Sequence, residues 1–255
     1  MYTLLICLLA GLGAGLGTGF AGMSAAAVVS PMLITFLDIP AYQAVGIALA
    51  SDVLASAASA YTYYRNKNLD VRNGLIMMAA VLTMTAVGSW VSSLVPNNTM
   101  GSFSTVMTLL LGIKFLVRPI MTTRQAMEGV SRRVRTAQSL VCGTVVGFIC
   151  GFIGAGGGMM LLLVLTSVLG YELKTAVGTS VFIMAFTALT GAASHFAIGG
   201  MPNLTVLAPC VLFTLIFAQL GARMANRAPA KTLNRMVGVI LVCLGAAILL
   251  VHLLT

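Results

Sequence analysis

GFICGFIGAGGGMMLLLVLT (147–166) holds six glycines, the last three consecutive, in a stretch that is otherwise almost wholly apolar. Glycine weakens a helix, and in a membrane helix it also lets a second backbone come close. Putting the softest backbone inside the most apolar segment points to one of those two uses. Deciding between them requires knowing how often the surrounding chain crosses a bilayer.

That a bilayer is involved follows from composition. Of the 255 residues, 59% are hydrophobic and 7% are charged, against about 25% charged in a soluble domain. So few charges cannot cover a soluble surface, which makes this a polytopic membrane protein. The net charge is +9, from 14 basic and 5 acidic residues, and eight of the 14 lie in residues 65–72 and 118–135. Both stretches separate apolar segments, so the charge reads as a cytoplasmic excess and not as a nucleic-acid surface. The five cysteines (Cys7, Cys142, Cys150, Cys210 and Cys243) sit in apolar stretches without a CxxC pair and read as small buried hydrophobes. His195 and His252 are isolated, so neither a metal site nor a cofactor is expected. The N-terminus lacks a basic n-region, and no cleaved signal peptide is expected.

The glycines repeat. GFAG (19–22) and GFIG (151–154) stand 132 residues apart, and the same offset superposes Gly11 on Gly143, Gly15 on Gly147, Leu33 on Leu165 and Ala44-Val45-Gly46 on Ala176-Val177-Gly178. Several glycines in register without a gap predict a duplication, a common plan among secondary transporters. The expected organisation is a first repeat over 1–120, a basic cytoplasmic linker over 121–135 and a second repeat over 136–255.

Apolar stretches at 2–37, 42–64, 72–95 and 100–117 are matched by others at 136–169, 174–198, 202–222 and 235–254. A spanning helix needs about 20 residues, so the first stretch of each set is too long for one crossing and too short for two. The basic runs 65–72, 118–135 and 223–235 are expected in the cytoplasm, and the uncharged VPNNTMGS (95–102) and GGMPN (199–203) outside. From Arg135 inside to Gly200 outside the chain must cross an odd number of times. Residues 174–198 cross once, so 136–169 must cross an even number, and a hairpin that enters and returns satisfies this. The glycine run lies where such a hairpin would turn. The expected fold is all-α, with two inverted repeats, each a broken glycine-rich hairpin plus three transmembrane helices, and with both termini on the outer side.

A broken helix exposes amide N–H groups that lipid cannot satisfy, and a helix start carries partial positive charge. Two such starts meeting from opposite sides make an anion site without lysine. The candidate substrate contacts are Gly22, Met23 and Ser24 in the first half and Ala155, Gly156, Gly157 and Gly158 in the second. Thr179 and Ser180, a few residues into helix 174–198, offer hydroxyls. Asp52 lies in the middle of the 42–64 stretch, and an intramembrane carboxylate faces a cavity or a partner, so it is the candidate coupling or gating residue. Gln43 and His195 are weaker candidates for the same role. Close packing of small residues explains the glycines equally simply, and back-bonding to helix carbonyls explains the hydroxyls.

The stretch GFIGAGGGMMLLLVLTSVLGYELKTAVGTS (151–180) resembles the signature of the sulfite exporter TauE/SafE family: a glycine-rich turn (Gly154, Gly156, Gly157, Gly158), an apolar helix, then Ala176, Gly178, Thr179 and Ser180. The first half keeps Pro31 and Ala44-Val45-Gly46 but has GMSAAAVVSP (22–31) in place of a glycine triplet and Ile47-Ala48 in place of Thr-Ser. The resemblance implies a two-repeat permease of the cytoplasmic membrane, not an enzyme, handling sulfite, sulfoacetate or related organosulfur anions. Together with the residues, it leads to the expectation of a secondary transporter of a small anion working by alternating access. A passive anion channel is the alternative, and a membrane-embedded enzyme built on Asp52 and His195 a more distant one. The expected partners are the anion, protons and the lipid bilayer, and no nucleic acid.

Overall fold

The computed structural model describes residues 1–92, 113, 116–117, 131–153 and 157–254. The 95–102 run, most of the 100–117 stretch and of the 121–135 linker, and the candidate contacts Ala155 and Gly156 lie outside these. Among the described residues are nine long helices and no strand: α1 (Tyr2–Ala21), α2 (Ala26–Leu37), α3 (Ala41–Arg65), α4 (Val71–Ser92), α5 (Arg132–Ile153), α6 (Gly157–Ser167), α7 (Leu173–Gly199), α8 (Leu204–Arg227) and α9 (Ala230–Leu254). Helix is the expected solution where lipid offers backbone groups no partner. Four of these helices are long and apolar enough to cross a membrane, over Tyr2–Ala21, Gln43–Arg65, Leu173–Ala197 and Leu204–Arg227.

Helix ends follow local chemistry. At the start of α8 the Asn203 side chain accepts from the Thr205 amide at 3.0 Å. Helix α1 stops at Gly22, whose left-handed φ of 62° suits a residue without a Cβ. The Gly22 amide closes the last turn on the Thr18 carbonyl at 2.9 Å.

The long apolar stretches are broken where the glycines predicted. Arg135, at the start of α5, lies 5.5 Å from the ring centre of Tyr171, just past α6. As one continuous helix those residues would stand about 54 Å apart. The segment therefore goes in and comes back, and a single tilted helix over 136–169 is excluded. In the first half the short α2 likewise packs back against α1.

Helix bounds recur at the offset of 132: α1 shifted gives 134–153 against Arg132–Ile153, and α3 shifted gives 173–197 against Leu173–Gly199. Packing recurs as well. Helix α1 lies chiefly against α8, α5 lies chiefly against α4, and α3 packs on α7. Each half thus seats the leading helix of its hairpin on the other half.

The basic runs are partly helical: α5 begins at Arg132, α8 continues to Arg227 and α9 starts at Ala230. Apolar patterning marks where lipid ends, whereas backbone hydrogen bonding continues into water without penalty. The cysteines differ in part from expectation: Cys7 and Cys210 are buried, Cys142 is half-buried and Cys243 is exposed on α9.

The contact of α1 with α8 is made by backbone. Gly11, Gly15 and Gly19 face Thr214, Ala218 and Ala222, and a methyl at Gly15 would stand 2.6 Å from the Thr214 carbonyl oxygen and 2.8 Å from the Ala218 amide nitrogen. Neither atom can move without moving its helix. Gly15→Val is expected to cost about 3 kcal/mol, read as a lowered unfolding temperature of the detergent-purified protein.

Candidate functional site

The two breaks meet. A methyl built on Gly158, in the first turn of α6, would run into the Gly22 carbonyl oxygen and lie 3.0 Å from both Met23 Cα and Ser24 N. Ser180 of α7 closes on the same place: its Oγ donates to the Val177 carbonyl at 2.9 Å, lies 3.5 Å from the Gly22 carbonyl, and would clash with any side chain at position 22. Thr18 Oγ1 lies 2.9 Å from the Met23 carbonyl oxygen and ties the turn to α1. Gly22, Met23, Ser24, Gly158 and Ser180 therefore form one crossing made from both halves, with Met23, Ser24, Gly158 and Ser180 all buried.

Asp52 joins this crossing from α3. The carboxylate is 0% exposed. Ser24 Oγ donates to one oxygen and Ser56 Oγ to the other, each at 2.7 Å. Ser24 Oγ also accepts from the Ala26 amide at 3.3 Å. Ser24 thus bridges the start of α2 to the carboxylate. A helix start carries about half a positive charge, and here the chain places an acid on it. Bringing anionic and cationic ends together through one hydroxyl satisfies a group that lipid would leave stranded.

A second polar cluster closes one end of the bundle. Asp70, in the α3–α4 turn, accepts from Tyr171 Oη at 2.8 Å and from Asn73 Nδ2 at 2.7 Å, and Arg135 Nη1 stands 4.0 Å away. The Asp70 amide donates to Thr179 Oγ1 at 3.2 Å. Burial, then the neighbouring Asp70 charge, push the Tyr171 phenol well above its ordinary range, so it remains a donor. A cavity of about 240 Å³ opens here, lined by Asp70, Arg72, Asn73, Arg135 and Thr136. Alongside, Asn68 Nδ2 donates to Asn226 Oδ1 at 2.7 Å and Lys174 Nζ to the Asn226 carbonyl at 2.9 Å. These bonds join the α3–α4 turn of the first half to α5, α7 and α8 of the second.

The residues singled out from sequence thus fall into three places. Gly22, Met23, Ser24, Asp52, Gly158 and Ser180 converge, and half-buried Gly157 adjoins them in sequence. Thr179 points to the Asp70 turn instead. The Gln43 side chain is exposed at the start of α3, and His195 packs beside Gly46, with its Cβ 3.3 Å from where a Gly46 Cβ would be. Along α3 that is six residues, about 9 Å, from Asp52. Ser56 was missed, although its i+4 spacing from Asp52 on a helix was readable. The Asp70–Tyr171–Arg135 cluster was missed because its members are up to 101 residues apart and nothing local pairs them.

Comparison with known proteins adds to this. The family model described as "Sulfite exporter TauE/SafE" matches residues 7–248. "Probable membrane transporter protein YunE" of Bacillus subtilis (strain 168) is 26% identical, over 92% of this chain and 90% of its own length. "Probable membrane transporter protein YdhB" of the same organism is 24% identical, over 86% of this chain and 89% of its own. No solved structure matches at comparable stringency.

Ser24→Ala removes one of two donors to a fully buried carboxylate and is expected to destabilise the folded protein by about 1–3 kcal/mol. Ser24→Thr, which keeps the hydroxyl, is expected to restore most of that loss. Thermal unfolding of both variants in detergent measures the difference.

Proposed function

This chain belongs to the sulfite exporter TauE/SafE family, and from that premise we propose that it is a secondary transporter carrying a small anion, sulfite or an organosulfonate, across the cytoplasmic membrane. It is a multi-pass membrane protein of a transporter family. The observation that carries the finer reading is the bridge from the start of α2 through Ser24 to Asp52, set where Gly158 meets the Gly22 carbonyl.

The electrostatics give this crossing a sign. While Asp52 is ionised, its charge occupies the positive start of α2 and repels a second anion. When Asp52 takes a proton, the helix start is left unmatched and favours an anion in its place. Proton and anion then promote each other's binding, and by reciprocity each does so equally. Coupling of that sign is symport: both move the same way, and the gradients set the net direction. The exchange of access runs by rocking of the two inverted halves about the crossing.

The Asp70 cluster acts as the gate at the cytoplasmic end. Its counterparts at the offset of 132 are Pro202 for Asp70, Thr3 for Arg135, Ile39 for Tyr171 and Ile47 for Thr179. None of these counterparts carries a charge, so opening toward the cytoplasm is the movement that breaks this charged network.

Labelled sulfite flux into proteoliposomes, with and without a pH gradient and with sulfoacetate and sulfate as competitors, tests the reading. Competable, gradient-driven flux is expected, with Asp52→Asn losing the gradient dependence by about tenfold while still transporting down a sulfite gradient. Passive flux indifferent to pH in the natural protein would favour a channel. Absence of sulfite flux from folded, inserted protein would remove sulfite as substrate. For the gate, Tyr171→Phe gives up a hydrogen bond to a charged acceptor of about 1.5–3 kcal/mol. In a cysteine-free background, Tyr171→Phe added to Ser24→Cys is expected to raise labelling from the cytoplasmic side roughly tenfold over Ser24→Cys alone.

A further inference from the structure

Helices α3 and α7 part along one side into a groove of about 550 Å³, within the range of small-molecule sites. The α3 wall runs from Val53 through Ala57 and Ala60 to Tyr64, and α7 supplies Phe182, Ala185 and Leu189. Asp52 takes no part; its oxygens are held by Ser24 and Ser56 at the crossing. The floor at the Tyr64 end is Leu69 and Val71, from the α3–α4 turn.

Two features identify an occupant. The first is length. Val53 and Tyr64 are eleven residues apart, about 17 Å of helix, and one leaflet of a bilayer offers about 15 Å of hydrocarbon. The second is the groove's end. Tyr61 and Tyr64 are each 60% exposed there, as tyrosines are at a membrane interface. Exposed Arg65 and Lys67 follow directly. An apolar channel one leaflet long, ending in two aromatic rims and two positive charges, matches an acyl chain below an anionic headgroup.

We propose that this groove binds one anionic phospholipid from the leaflet on the Arg65 side, with an acyl chain between α3 and α7 and its phosphate held by Arg65 and Lys67. The site is independent of the transported substrate and requires only membrane insertion. Because its walls come from both halves, the lipid wedges the α3–α7 contact, and any motion between the halves changes the groove.

The test uses the full chain purified in mild detergent, exposed to phosphatidylglycerol or phosphatidylcholine, with bound lipid counted by native mass spectrometry. The natural protein is expected to retain phosphatidylglycerol in preference. Paired Arg65→Gln and Lys67→Gln is expected to weaken that preference about 25-fold, from roughly fivefold per charge near an anionic surface. Ala57→Trp, at an exposed position, is expected to fill the groove and abolish retention of both lipids. The proposal is overturned if the charge variant, which leaves the bundle interior untouched, retains phosphatidylglycerol undiminished. It is overturned equally if folded Ala57→Trp still holds the lipid, or if Leu189→Cys cross-links to a second copy in place of lipid binding.

Discussion

Contact between main chains, with no side chain in between, governs this structure. Along α1 the glycines 11, 15 and 19 rest on the backbone of α8, and at the crossing Gly158 rests on the Gly22 carbonyl. Lipid tails are as apolar as leucine, so helices in a bilayer gain little from hiding hydrophobic side chains from one another. Close approach and the satisfaction of polar groups hold them together instead. Both are used here, and both join one half of the chain to the other. Each half seats the leading helix of its hairpin on a helix of the other.

The same crossing holds a fully buried acid. Asp52 is accommodated by hydroxyls, not by an arginine, among the described residues. Hydroxyls satisfy the carboxylate oxygens without bringing a second buried charge. The tight turn at Gly22 and the bond from the Ala26 amide to Ser24 Oγ hold Ser24 in place against the carboxylate.

The duplication is most informative where it fails. At the offset of 132, Asp52 corresponds to Met184, Ser56 to Ala188 and Ser24 to Gly156. Carboxylate chemistry therefore belongs to the first half, and the second contributes close approach through Gly158. The ends differ similarly, with Asp70, Arg135 and Tyr171 answered by Pro202, Thr3 and Ile39.

Much of this was legible in the chain. Composition determined an all-helical membrane protein, and the excess length of 2–37 and 136–169, together with their glycines, where its long stretches break, because composition and spacing along a helix are local properties. A carboxylate at position 52 in an apolar helix had to find a partner. Which partner was decided only in three dimensions: Ser24 is 28 residues away and Tyr171 is 101 from Asp70, and such pairings arise from how packed helices come to lie together. Thr179 illustrates the same limit. One residue from Ser180, it turns by the helical 100° away from the crossing and onto the Asp70 amide. Sequence settled that a hydroxyl stands there; the rotation of α7 against its neighbours, set by backbone contact, settled which site it serves.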